Sequence, residues 1–290
     1  MKICLNCKNT FSSNVWICST CGYEPPRLNG IIAHSVKFAH DGGGFKPEYF
    51  AKLAKLEDTN FWFRARNDLI IWAFNAYKPN AHSFLEVGCG TGFVLSGIAK
   101  AYSDMVLNGS EIFLDGLSYA IERVPTASFM QMDARRIPFL EEFDTIGAFD
   151  VLEHIDEDEV VLTQLYKALK PNGVLLLTVP QHPWLWSAAD EYACHMRRYK
   201  AKELFDKIRR SGFKVLRTSS FVSLLLPAML LSRFKRHQLN ADYDAIAELS
   251  LPRILNDLFL FVMRLECWLI RLGLNFPIGG SRLLIAKKVS

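Results

Sequence analysis

Apolar positions along this chain fall into two alternating rhythms. Short runs at 83–87, 106–111, 127–132, 143–149 and 174–179 read as strands, and 174–179 is apolar enough to be buried on both faces, as parallel strands are. Elsewhere the spacing is helical. Phe93, Val94, Leu95, Ile98 and Ala99 follow the first run, 114–121 the second and 159–169 the fourth, while 203–210 precedes a sixth strand at 213–218. Lys170-Pro171-Asn172-Gly173 supplies a helix stop and turn before 174. Alternation from about residue 65 to residue 220 requires right-handed crossovers and a doubly wound α/β sheet. Ligands of such sheets sit beyond the carboxyl ends of the strands.

The flanks have other patterns. Residues 47–77 carry helical spacing through Phe50, Leu53 and Leu56, then Leu69, Ile70, Trp72 and Ala73. Residues 221–231 are apolar but contain Pro227. Residues 254–272 repeat apolar side chains at helical spacing (Leu255, Leu258, Phe259, Val262, Leu265, Leu269) around Arg264, Glu266 and Arg271. Neither stretch matches the ~20 uninterrupted apolar residues of a bilayer span. A helical hairpin lying on a membrane surface, with Arg233, Lys235, Arg236 and His237 near headgroups, is one expectation. Packing on the sheet or on a second subunit is the other.

Of 290 residues, 50% are apolar and 22% charged, a globular composition, and the net charge of +4 is too mild to argue for nucleic acid. Between 197 and 217, nine Lys or Arg face two acids, an excess suited to an anionic surface or phosphate. No signal peptide is expected, because the chain runs at once into Cys4. Four of the seven cysteines form Cys4-x-x-Cys7 and Cys18-x-x-Cys21, with Cys89, Cys194 and Cys267 scattered. That usage fits a reducing cytoplasm and one tetrahedral zinc site. Residues 1–26 are too few to pack a core, so the metal would supply their folding free energy, with a small hairpin over 10–17. A closed four-cysteine site is structural. Residues 27–46, with Pro25-Pro26 before them and Asp41-Gly42-Gly43-Gly44 near their end, read as a linker.

Chemistry concentrates after the first strand, in Glu86-Val87-Gly88-Cys89-Gly90-Thr91-Gly92. Glycine serves where the backbone takes unusual φ/ψ or a ligand comes within contact distance. The turn delivers that ligand to a helix N-terminus, whose unpaired N–H groups favour a carboxylate or phosphate. A dinucleotide site would want G-x-G-x-x-G, but Phe93 holds the position of its third glycine. Glu111, 19 residues past Gly92, ends the second strand where a carboxylate can accept both ribose hydroxyls.

The pattern E-x-G-x-G-x-G resembles motif I of the class I S-adenosylmethionine (SAM)-dependent methyltransferases, in their type 11/23-like branch. Asp133-Ala134 resembles the family's adenine-contacting corner, and 150–155 (DVLEHI) is similar to its motif IV loop. The resemblance covers roughly half the chain. It implies a Rossmann-like seven-stranded, mostly parallel sheet with helices on both faces, 281–288 being an antiparallel seventh strand between strands five and six. Residues 222–280 would then be a helical insertion between strands six and seven. Because strand six ends on the ligand side, the insertion is expected to roof the substrate pocket within a catalytic domain of 47–290.

By the same resemblance, SAM is the cofactor and S-adenosylhomocysteine its product. Gly88, Cys89, Gly90 and Gly92 surround the methionine part, Glu111 with Ile112 takes the ribose, and Asp133, Ala134, Asp150 and Val151 frame adenine and pocket floor. Glu86 holds the glycine turn or the SAM ammonium. A W-F-x-x-R segment, Trp62 to Arg66, is expected to close over the cofactor with Arg66 or Arg64 on the methionine carboxylate or a substrate acid. His154, His182 and His195 are candidate general bases, His154 and His195 foremost, since imidazole titrates near neutral pH. The acceptor expected is an apolar or lipid-linked glycolipid or isoprenoid, reached from the cytoplasm with peripheral membrane association. The rivals are an RNA base, a sugar nucleotide, or SAM binding without turnover; a homo-oligomer is possible throughout.

Overall fold

The computed structural model describes residues 1–40, 46–236 and 250–289. Two short strands open the chain, β1 (Lys2–Ile3) and β2 (Thr10–Phe11), paired antiparallel. The sheet at the centre has nine strands rather than the expected seven. Its first two are β3 (Arg27–Leu28) and β4 (Ile31–Ala33). Then follow β5 (Ser83–Val87), β6 (Val106–Glu111), β7 (Ser128–Gln131), β8 (Phe143–Phe149), β9 (Leu169–Pro180), β10 (Phe213–Phe221) and β11 (Ser281–Lys288). Across the sheet the order is β10-β11-β9-β8-β5-β6-β7-β4-β3. β5 to β9 run parallel, and β11 is antiparallel between β9 and β10, as expected.

The extra pair comes from residues read as linker. β3 and β4 form a hairpin whose second strand joins β7 in parallel, Ile32 beside Met130 and Ala33 beside Gln131. Gln131, fully buried, fixes this addition: its Nε2 donates to the carbonyls of Ser35 and Ile112 at 2.9 and 2.8 Å, and its Oε1 accepts from Ser35 N–H at 2.9 Å. Such a pattern carries too few apolar residues to stand out in the sequence. The glycines at 42–44 lie outside the described residues.

Helices cover both faces. The main ones are α1 (Tyr49–Leu56), α2 (Phe61–Tyr77), α3 (Phe93–Ala101), α4 (Leu114–Arg123), α5 (Asp158–Ala168), α6 (Ala188–Tyr192), α7 (Ala201–Arg210), α8 (Leu226–Arg236) and α9 (Arg253–Arg271). The 47–77 stretch breaks into α1 and α2 because Asn60 caps the second helix, its side chain accepting from Trp62 N–H at 2.8 Å. One core half joins β8 and β9 to α5 and α7 through Val161, Leu165, Leu204 and Ile208; the other packs α2, α3 and α9 through Leu69, Phe74, Leu95, Ile98, Met263 and Ile270. The 170–173 stop is a bulged turn that the strand absorbs, with the pairing shifting register between Phe143 and Thr145.

No described residue of the insertion lines the cavity at the strand ends, and 237–249 lie outside the described residues. β10, which leads into the insertion, is the sheet edge. Instead α9 lies along α2: Leu260, Met263, Cys267 and Ile270 are buried, Asn256 bonds Phe61 N–H and the Thr59 carbonyl, and buried Glu266 accepts from Ser223 and Leu224 N–H at 2.7 Å. The basic flank expected at Arg233 to His237 lies outside the described side chains. Among the described residues no helix is long and apolar enough to cross a membrane.

The N-terminal segment docks at the opposite end of the sheet from the glycine turn. Ile3 N–H donates to the Pro138 carbonyl, and Trp16 packs edge-on to Phe139 with ring centroids 5.4 Å apart. A groove beneath it is lined by Ser83, Val106, Ser128 and Phe143, the first residues of four strands.

Candidate functional site

A cavity of about 610 Å³ opens where β5 to β8 end. One side is built from Gly88 and Gly90, Glu111 with Ile112, and Asp133 with Ala134; Asp150, Val151 and His154 form the floor; and Arg66 flanks it. Ten expected residues therefore converge. Glu86, Cys89, Gly92 and His195 stand behind the wall.

The glycine turn is shaped by sterics. Gly88, Gly90 and Gly92 have φ of +72°, +52° and +76°. A Cβ on Gly88 would come within 2.4 Å of Val151 Cγ2, and one on Gly92 within 3.0 Å of Ala120. Gly92 instead caps α3 from the left-handed region. Cys89, expected at the cofactor, packs inward beside Leu114 and Leu117. Its side chain is aimed at the core because its flanking glycines turn the backbone toward the cavity.

Glu111 is held by three backbone donors, Gly90 at 3.0 Å and Ile112 and Phe113 at 2.8 and 3.4 Å. Burial pushes its carboxyl upward against those bonds. Glu86, 2% exposed, is pushed up to about 8 by burial, with the Arg66 guanidinium opposing. Arg66 pairs with Asp150 at 2.6 Å and lies 4.9 Å over the Trp62 ring. Asp150 adopts φ +57° to reach it. Arg64 lines a separate surface groove with Asp68 and Arg264 and does not join the cavity.

The cover over the cavity comes from α1, with Phe50 and Leu53, and from Ala193 and Met196 after α6. Tyr49 stacks on Tyr192, centroids 4.3 Å apart, joining the two sides. α1 is tied to the turn by Glu57, which accepts from Thr91 Oγ1 at 2.7 Å and from Arg123 Nη1 at 2.6 Å. Arg135 grips Asp133 through Nε and Nη2 and lies over Phe38 at 5.4 Å. Glu57, Thr91, Arg123 and Phe38 were not legible in the sequence, since each acts through a partner far along the chain; Arg135, two residues from Asp133, carried no pattern that marked it.

At the other end of the cavity is a buried polar cluster. The rings of His154 and His195 lie 4.9 Å apart, edge to face. Burial depresses His154 to about 3, with His195 adding to the effect, so it is neutral near pH 7. His195 Nδ1 is 2.9 Å from Asp190 Oδ1, which also accepts from Arg198 Nε at 2.7 Å. His182 is not among the lining residues and lies tilted against Trp184, ring centroids 5.4 Å apart.

In the N-terminal segment the four expected thiols meet: Cys4 and Cys21 Sγ are 3.6 Å apart, Cys7 and Cys18 Sγ 3.7 Å, and all four are within 4.8 Å of one another. Each close pair joins the two knuckles, whose turns are closed by Lys8 N–H on the Cys4 carbonyl and Gly22 N–H on that of Cys18. β2 pairs with β1, so the small hairpin expected within 10–17 is replaced by one across the first knuckle.

Residues 49–218 match a family model described as a methyltransferase domain. A probable S-adenosylmethionine-dependent methyltransferase of Mycolicibacterium smegmatis is 23% identical over 55% of this chain and 62% of its own. A demethylmenaquinone methyltransferase of Streptomyces griseus is 29% identical over 52% of this chain and 63% of its own. The chain thus matches less than two thirds of the length of these relatives. Phosphoethanolamine N-methyltransferase 2 of Haemonchus contortus, solved with S-adenosyl-L-methionine, shares the fold at a TM-score of 0.53, with 17% identity over 78% of this chain and 52% of that one.

Proposed function

Because the chain belongs to the methyltransferase-domain family, we propose that it transfers a methyl group from SAM to an apolar or lipid-linked small molecule. The observation that carries the cofactor half is the convergence of Gly88, Gly90, Glu111 and Asp133 on one cavity at the strand ends. SAM supplies the electrophilic methyl when bound. The chain's part is to hold the acceptor atom in line with it, an orientation worth on the order of 7–11 kcal/mol in favourable cases. Glu111 takes the ribose hydroxyls, Asp133 and Ala134 lie against adenine, and Arg66 offers its guanidinium to a carboxylate. Glu86, already inclined to hold a proton, acts by supporting the turn. His154, neutral and at the cavity floor, and His195 beyond it mark the acceptor end of the cavity.

The acceptor half rests on α9. Ile254, Leu258, Phe261, Leu265, Trp268 and Leu272 are all exposed, at 86, 54, 66, 42, 54 and 66%, and recur every three or four residues. One apolar stripe therefore runs the length of the helix. Its first turns adjoin the cavity rim, Phe259 meeting Phe61 with centroids 5.3 Å apart, next to Trp62 and Phe63 of the lining. A helix of this kind lies in the headgroup region and brings the cleft to a lipid-borne acceptor. A relative named for demethylmenaquinone, an apolar acceptor, agrees with this reading. The cysteine segment sits at the amino ends of the strands, away from the cleft, and so adds no contact to the acceptor end. We assign that segment one structural zinc: bonds of about 2.3 Å in a tetrahedron put sulfurs ~3.8 Å apart, close to the spacings here.

Transfer of radiolabelled methyl from SAM to fractionated cell extract tests the acceptor. Label in the solvent-extracted lipid fraction is expected; label confined to RNA or to water-soluble sugar nucleotides would overturn it.

A further inference from the structure

Beneath the acceptor end of the cavity lies a carboxylate that no contact explains. Glu153 is fully buried, and neither of its carboxylate oxygens has a hydrogen-bond partner. Leaving such a group unpaired costs several kcal/mol, so a buried carboxylate ordinarily has a cation or donors beside it. Imidazole faces it, and the Asp150 carboxylate and the Arg66 and Arg198 guanidiniums act on it by charge alone. His195 Nε2 is 3.9 Å from Glu153 Oε1, and one ligand-capable atom from each of Glu153, His154 and His195 lies within 4.8 Å of the others.

The surroundings of His195 add a second, independent sign. Metal-bound imidazoles present one nitrogen to the ion and give the other N–H to a carboxylate, which fixes ring and tautomer. His195 is arranged so, with Nδ1 on Asp190 and Nε2 toward Glu153. Asp190 is itself immobilised by Arg198 and by Ser187 N–H at 2.9 Å. The loop is pinned over the cluster by Met196 N–H on the Glu153 carbonyl at 2.8 Å.

We infer that Glu153, His154 and His195 bind one divalent cation at the acceptor end of the cavity, and that this ion takes an acceptor hydroxyl as a further ligand. Two imidazoles and a carboxylate suit Mn²⁺, Co²⁺ or Zn²⁺ better than the all-thiolate site of the N-terminal segment, which selects a soft ion. His154 lines the cavity while Glu153 and His195 lie outside the lining, so an acceptor would reach the ion past His154. Ligation draws the three atoms together from their present spread.

The inference rests on the methyltransferase reading and sharpens it: the acceptor atom becomes oxygen. An acceptor O–H bound to the ion gives its proton to solvent, its oxygen lone pair forms the bond to the methyl carbon, and the carbon–sulfur bond breaks toward S-adenosylhomocysteine. Asp190 and Arg198 are positioning residues, acting through His195.

The test uses the whole chain carrying one zinc per molecule, at the four thiols, titrated with Mn²⁺ alone and followed by electron paramagnetic resonance of the unbound ion. One Mn²⁺ per chain is expected, weakened at least tenfold in Glu153→Gln and in His195→Asn and about 10–100-fold in Asp190→Asn, as second-shell losses usually are. Retained S-adenosylhomocysteine binding reports that each variant is folded. Absence of Mn²⁺ uptake by the unmodified protein overturns the inference, as does uptake unchanged in both ligand variants, the mark of surface carboxylates. Neither result touches the SAM reading, since no SAM or acceptor is present during the Mn²⁺ titration.

Discussion

Gly88 leaves room for no other residue. Its φ of +72° already disfavours a side chain, and the nearest atom a Cβ would meet belongs to Val151 on the cavity floor. Gly88→Ala is therefore expected to add strain on the order of 1–3 kcal/mol and to push Val151 into the ligand volume. Thermal denaturation should show the loss, together with at least tenfold weaker S-adenosylhomocysteine binding. Asp158 makes a different kind of prediction. Burial raises its carboxyl, but Lys207 Nζ at 2.5 Å, Tyr199 Oη at 2.7 Å and Arg197 at 3.1 Å outweigh burial and leave it below the usual range. A lowered carboxyl stabilises the fold above its unfolded value near 4 and loses that contribution as pH falls through the folded value. Asp158→Asn, which leaves Lys207 paired with Glu203 and Arg197 with Asp156, is expected to cost on the order of 1.5–3 kcal/mol at pH 7, as lost hydrogen bonds to charged groups do. Denaturant titrations of both proteins should converge below pH 4. The residues a sequence can assign are those whose role is set locally: Gly88 and Gly90 by the turn they make, Glu111 and Asp133 by ending a strand. Glu57 and Gln131 gave no such signal, because the groups they satisfy come from segments remote in the chain.

Elements were legible in proportion to their periodicity. β5 to β8, α7 and β11 carry unbroken runs or a clean apolar stripe, and they stand where the pattern put them within a few residues. β3 and β4 did not, because five residues beside a double proline look like a tether until β7 offers its edge. For α9 the apolar spacing was visible but the facing was not: Leu260, Met263 and Ile270 go inward, while another row of six is left outward. That second row yields an element-scale test. Purified protein mixed with anionic liposomes is expected to float with them. Phe261→Asp with Trp268→Asp, each removing about 1.5–3 kcal/mol of apolar burial in the interface, should reduce co-flotation more than tenfold without lowering the melting temperature. Flotation equal in both proteins would assign the stripe to another contact.

For the whole molecule, the sheet separates two chemistries. Its carboxyl ends hold the cavity, and its amino ends hold the four thiols, joined along the edge by β3, β4 and the Phe38 segment. Among the described residues the cover over the cavity comes from α1 and the loop after α6, which precede the glycine turn and follow β9. The seven-stranded expectation fell short because a sequence reveals a sheet's own strands more readily than a hairpin recruited to its edge. The central claim is that one end of this cavity holds a sulfonium nucleoside whose ribose rests on Glu111. Isothermal titration with S-adenosylhomocysteine tests it most directly. One molecule per chain should bind, at least tenfold more weakly in Glu111→Ala, since a hydrogen bond to a charged group contributes about 1.5–3 kcal/mol. No heat of binding in the unmodified protein, or an affinity indifferent to Glu111→Ala, would contradict it.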